Sequence, residues 1–177
     1  MKKIVLVFIV MMTLSACKSD KKEVEKVLDE IEEVEEEKSY VKVTFNAVVP
    51  KDDTFAVQYK KEDNVWYPKK GIETKVLGSS LPQDMVFNLP PDIFPIDFIL
   101  LLGENNTENV IMNSVTFELE GRSFTVPKEK FFDYFSSNKL VDFNKADNSY
   151  KLNEKGNGLK FFNARKVLVT RLEQKLY

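Results

Sequence analysis

Trp66 and Tyr67 stand side by side in a chain of 177 residues that holds no other tryptophan. Aromatic rings of this kind stack on the faces of sugar rings while nearby amides and carboxylates bond the hydroxyls. Neighbours on a strand point to opposite faces, so a single core buries one of the two and leaves the other near the surface. Tyr59, Gln58 and Gln83 add a third ring and two amides, although alternation places Tyr59 on the core side. A second candidate is the oxygen-rich run Glu104-Asn105-Asn106-Thr107-Glu108-Asn109. Ca²⁺ prefers about six to eight oxygen ligands, and Glu104, Asn106 and Glu108 are the residues here that would supply them. The run lacks the ligand spacing of an EF-hand, so it reads first as a solvated hairpin loop and no cofactor is expected. Asp52 and Asp53 are adjacent carboxylates, but neighbours in a turn seldom face each other as a glycosidase pair must. They read as turn formers.

Composition removes several chemistries. The chain has no histidine and one cysteine, Cys17. That excludes Ser-His-Asp and Cys-His nucleophile pairs and histidine-ligated metals. Paired carboxylates or a lysine-activated serine remain, and no spacing supports either, so the chain reads as a binding or structural protein and not an enzyme. The formal net charge of -2 conceals an acidic segment. Residues 20–38 carry ten acidic residues and four lysines, net -6, and residues 39–177 are close to neutral. No clustered basic surface of the kind nucleic acid requires is evident.

These side chains need a scaffold, and the periodicity predicts a β one. Val41, Val43, Phe45, Ala47 and Val49 alternate with polar residues. Phe55, Val57 and Tyr59 repeat the pattern after the turn Pro50-Lys51-Asp52-Asp53. Further strands are expected at residues 65–67, 74–77, 85–89, 96–102, 110–119 and 123–126, separated by turns rich in Gly, Pro and Asn. Many short strands without long intervening helices indicate an antiparallel sandwich, jelly-roll-like, rather than an α/β fold. Pro127 followed by Phe131, Tyr134 and Phe135 predicts a short helix capping one end of the core. Residues 144–158 read as a loop or weak hairpin, and residues 159–172 as one or two closing strands.

Ahead of this domain lie two further segments. Lys2 and Lys3 precede an apolar run from Ile4 to Leu14, too short at about a dozen residues to span a bilayer, which needs about 20. Leu14-Ser15-Ala16-Cys17 resembles the bacterial lipoprotein lipobox. The resemblance implies that residues 1–16 are a signal peptide and that Cys17 is acylated, anchoring the protein to a membrane by lipid. The Cys17-Lys18-Ser19-Asp20 start is similar to the export signals of Bacteroidota lipoproteins, which implies an outer-membrane location on the periplasmic or cell-surface side. Val24, Val27, Leu28, Ile31 and Val34 are spaced as a narrow helical stripe, so residues 17–38 read as a lipidated cysteine with an acidic helical tether.

Residues 39–177 then form the sandwich domain. Within it, the order Lys51-Asp52-Asp53-Thr54-Phe55-Ala56-Val57-Gln58-Tyr59, Gln83-Asp84-Met85-Val86-Phe87-Asn88-Leu89-Pro90, Ile96-Asp97-Phe98 and Leu102-Gly103-Glu104 resembles a β-sandwich module of bacterial cell-surface and glycan-synthesis proteins. Such modules are similar in layout to jelly-roll carbohydrate-binding domains. The resemblance implies a lipid-anchored envelope protein that binds a glycan without turning it over. The alternative is an assembly subunit docking an envelope protein through a sheet edge and the acidic helix.

Overall fold

The computed structural model describes residues 39–177 apart from residues 92, 108, 154 and 155. The expected signal peptide, Cys17 and the tether lie outside the described residues, as does Glu108. Among the described residues, eleven strands form two antiparallel sheets. They are β1 (Lys42–Val48), β2 (Asp53–Lys60), β3 (Trp66–Val76), β4 (Gln83–Asn88), β5 (Asp97–Leu101), β6 (Val110–Leu119), β7 (Arg122–Pro127), β8 (Phe135–Ser137), β9 (Val141–Asn144), β10 (Ser149–Leu152) and β11 (Phe161–Ala164). Two short helices, α1 (Phe131–Tyr134) and α2 (Lys166–Leu176), complete the domain.

The first sheet runs β4-β1-β6-β10-β9, with β7 also paired to β6. β10 takes Val110 and Ile111 at the start of β6, and β7 takes the stretch from Ser114 to Leu119. The second sheet runs β3-β2-β5-β11-β8. The chain changes sheet seven times, between β1 and β2, β3 and β4, β4 and β5, β5 and β6, β7 and β8, β8 and β9, and β10 and β11, so the two inner faces share one core. Phe45 and Phe98, from opposite sheets, stack with centroids 6.2 Å apart, and Tyr150 meets Phe162 edge-on at 5.5 Å. The alternation read from the sequence is borne out: Val43, Phe45 and Ala47 are fully buried and the residues between them are not. Each buried phenylalanine of this set contributes about 1.5–3 kcal/mol.

Three elements differ from expectation. The strands expected at 65–67 and 74–77 are one strand, β3, because residues 68–71 bulge outward between the pairs Tyr59–Tyr67 and Val57–Ile72 instead of ending the ladder. Residues 159–172 do not supply two strands. Only β11 is extended, and α2 follows, with Leu168, Leu172 and Leu176 spaced by four on its buried face. Residues 144–158 hold a hairpin, but it starts earlier, from β9 through a turn where Asn148 adopts φ 57°. The expected capping helix is a single turn, α1, burying Phe131 and running directly into β8 with Phe135 buried. Arg165 ties that corner down: its backbone N–H donates to the Tyr134 carbonyl at 2.7 Å and its Nε to the Phe135 carbonyl at 2.9 Å. Among the described residues, no helix is long and apolar enough to cross a membrane.

Candidate functional site

The aromatic candidates sit at the end of the domain where β2 gives way to β3. The turn between them is held by Asp63, whose Oδ1 accepts the Val65 N–H at 3.0 Å and whose Oδ2 accepts the Tyr67 hydroxyl at 2.7 Å. These two bonds hold the Asp63 carboxyl below its usual range, and the same carboxylate pushes the Tyr67 phenol up. Tyr67 leans toward the core beside Tyr59, with centroids 6.4 Å apart. Tyr59 itself is buried, as its alternation predicts, and burial raises its phenol. Trp66 takes the opposite face. It pairs in register with Lys60, which pairs on its other side with Asp97, forming one row across the outer face of the second sheet.

Lysines cover both surface rings. Lys60 Nζ lies 4.6 Å from the Trp66 ring centre and Lys61 Nζ 4.9 Å from that of Tyr67. Such contacts are worth about 0.5–1 kcal/mol at exposed sites. Lys60 also reaches Asp97 at 3.4 Å. Both rings stay half-buried. Beside them, Lys61, Glu62, Asp63, Ile93 and Phe94 line an open groove of about 480 Å³, within the range of about 300–1,000 Å³ usual for small-ligand clefts.

Gln58 has a structural task. Its amide nitrogen donates to the carbonyls of Pro68 at 3.0 Å and Lys69 at 2.8 Å, clamping the β3 bulge onto the sheet. Gly71 completes the bend with φ 85°, and a Cβ there would stand 2.7 Å from that of Ala56. The clamp covers Ala56 and Gln58, leaving each 7% exposed, while Lys69 and Lys70 at the bulge face solvent. Gln83 is not brought to this corner. It opens β4 opposite Ala47, at the other end of the sandwich, and its amide donates to the Leu77 carbonyl at 2.8 Å.

The oxygen-rich loop is drawn inward instead of presenting ligands. Asn106 is 1% exposed, its Oδ1 accepts the Lys51 N–H at 2.8 Å, and its Nδ2 donates to the Lys51 carbonyl at 2.8 Å. The buried Asp53 carboxylate accepts the Thr54 N–H at 2.9 Å on Oδ1. On Oδ2 it accepts the N–H groups of Asn105 and Asn106 at 3.2 and 3.1 Å and Asn106 Nδ2 at 2.9 Å. Gly103 is required beside it, since a Cβ would stand 1.9 Å from Asp53 Oδ1. Asp52 turns the other way and accepts the Gly78 N–H at 2.7 Å. The two aspartates are turn formers, as expected, and together with Asn106 they rivet the loop to the β1–β2 turn. Glu104 is exposed, as are Asn105 and Asn109. Among the described residues, no three acidic, histidine or cysteine side chains converge to hold a metal.

A larger groove of about 700 Å³ lies beside Tyr40 and the β6–β7 turn. Its cations are already engaged: Lys42 pairs with Glu118 at 2.6 Å, and Arg122 donates to the carbonyls of Leu176 and Tyr177 at 3.1 and 2.9 Å. The aromatic corner is the better candidate: it combines two half-exposed rings with Lys61, Lys69 and Lys70, which form no salt bridge among the described residues. Asp63, Lys60, Lys61, Lys69 and Lys70 were not among the residues singled out from the sequence. The signal was present as two lysine pairs flanking Trp66-Tyr67. No protein-family model matches the chain, and no match is found among curated proteins or solved structures.

Proposed function

We propose that this chain is a lipid-anchored, non-enzymatic binding protein of the bacterial cell envelope, that its ligand is a glycan, and that Trp66 is the stacking residue. The reading rests on one observation above the others: the only tryptophan lies half-buried on the outer face of a sheet, beside a bulge that Gln58 locks in place. A ring held on a rigid strand loses little freedom when a sugar docks against it. The envelope address rests on the lipobox-like sequence ending at Cys17.

The alternative, partner docking along an exposed edge, draws less support from β3. Pro68 cannot donate to an added strand, and the bulge with Lys69 and Lys70 is the kind of device that keeps edges from pairing. Screening the purified full chain against a glycan array, then titrating hits by tryptophan fluorescence, tests the proposal. Saturable binding that is lost in Trp66→Ala, with circular dichroism unchanged, is the expected result. A blank array would remove the glycan reading, and retained binding in the variant would remove Trp66 from it.

A further inference from the structure

The connection between β10 and β11 carries Asn157 followed by Gly158, and we infer that this pair is a site of spontaneous deamidation. The Gly158 backbone nitrogen, on losing its proton, attacks the carbonyl carbon of the Asn157 side chain. A nitrogen–carbon bond forms there, the bond from that carbon to the side-chain amide nitrogen breaks, and the amide leaves with the proton as ammonia. The succinimide ring so formed takes up water and opens at either of its carbonyls, giving aspartate or isoaspartate. Water enters and ammonia leaves, no oxidant or cofactor is consumed, and the loop gains a carboxylate.

Among the described residues, three asparagines precede glycine or serine, the small neighbours that leave the attacking nitrogen accessible, and the fold protects two of them. Asn113 lies within β6, its amide donates to Asn46 Oδ1 at 3.0 Å, and Ser114 is paired on both sides, with Asn46 and Pro127. Asn148 is buried and its amide donates to the Lys128 carbonyl, while the Ser149 N–H that would attack it donates to Asp147 Oδ1 at 2.9 Å. Asn157 has no such protection. It and Gly158 are exposed, and neither its side-chain amide nor the Gly158 N–H has a hydrogen-bond partner among the described residues. The chain is held on either side, by the Gly156 N–H on the Asn153 carbonyl at 3.3 Å and by Asn138 Nδ2 on the Leu159 carbonyl at 2.6 Å. The native fold therefore presents the pair to water without any need to unfold.

Holding the purified full chain in mildly alkaline buffer, folded or in urea, and following each asparagine over time by peptide mapping and mass spectrometry tests this. In the folded chain Asn157 should convert to aspartate and isoaspartate at within a few-fold of its rate in urea. Asn113 and Asn148 should be slowed by folding roughly tenfold or more, since they react only through local opening. Asn157→Gln, a change at an exposed position, should remove the converting species from the folded chain, because glutamine has to close a larger ring and does so far more slowly. Slowing of Asn157 by folding to the same degree as Asn113 and Asn148 would overturn the inference. So would conversion in the folded chain that persists undiminished in Asn157→Gln.

Discussion

The Asp53–Asn106 rivet and the Trp66 corner were both candidate sites in the sequence, and they end in opposite states. At the rivet the oxygens are spent on N–H groups: Asp53 accepts three bonds from backbone N–H groups and one from the Asn106 amide, and Asn106 closes a two-way pair with Lys51. At the corner the rings are braced by single lysines and by Asp63, and the side chains of Lys69 and Lys70 form no ion pair among the described residues. Side chains of the right type make a site only if the fold leaves their bonding capacity unused. Buried polar groups are costly when unsatisfied, so a loop packed against a turn recruits its own amides and carboxylates first. A half-exposed edge has water to satisfy it and can keep groups in reserve.

If that contrast is right, the two regions respond oppositely to truncation. Asp53→Ala should produce the largest loss of stability, about 3 kcal/mol, because it strands the buried N–H and side-chain amide of Asn106 together with two part-buried N–H groups. Urea unfolding measures it, and a loss below about 1 kcal/mol would show that water replaces the carboxylate readily. Gly103→Ala should follow at about 2 kcal/mol, since the added methyl overlaps a carboxylate that its four donors prevent from moving.

Tyr150 sharpens the comparison from inside the core. Its hydroxyl is buried with no hydrogen-bond partner among the described residues, and burial, reinforced by the Asp53 charge, pushes the phenol well above its usual value. Tyr150→Phe should therefore be neutral or stabilising by up to about 1 kcal/mol, in contrast to its costly neighbour Asp53. A clear destabilisation in thermal unfolding would mean the hydroxyl is satisfied after all.

The smallest effect belongs to the corner. Asp63 has a depressed carboxyl in the folded state, so the stability it contributes is present above its unfolded value and is lost as pH falls through the lower, folded one. Acidification through the carboxylate range should loosen the Tyr67 contact and shift Trp66 emission slightly. In Tyr67→Phe, which removes the main cause of the depression, that acid-side shift should shrink.

Much of the scaffold was legible because inner positions of antiparallel strands alternate so cleanly. Val43, Phe45 and Ala47 fix β1 without reference to any other element. α2 was harder. Val167-Leu168-Val169-Thr170 favours a strand by local propensity, and the leucines at 168, 172 and 176 reveal the helix only when the window extends to its end. β3 was broken in two because Pro68 and Gly71 are ordinary strand terminators, and only a clamp from Gln58, ten residues earlier, keeps the chain in the sheet beyond them. The same nonlocality hid the site. Residue types identified Trp66 and Tyr67, but which oxygens and amides the fold would consume depended on contacts such as Asn106 with Lys51, 55 positions apart.

The central claim is that the corner binds and the rivet only holds. Its most direct test is to measure glycan binding by Trp66→Ala and Asn106→Ala in parallel with the unaltered chain, each well below its melting temperature. The account predicts that Trp66→Ala loses binding at near-native stability, while Asn106→Ala keeps native affinity despite melting lower. Binding retained in Trp66→Ala and lost in folded Asn106→Ala would contradict it.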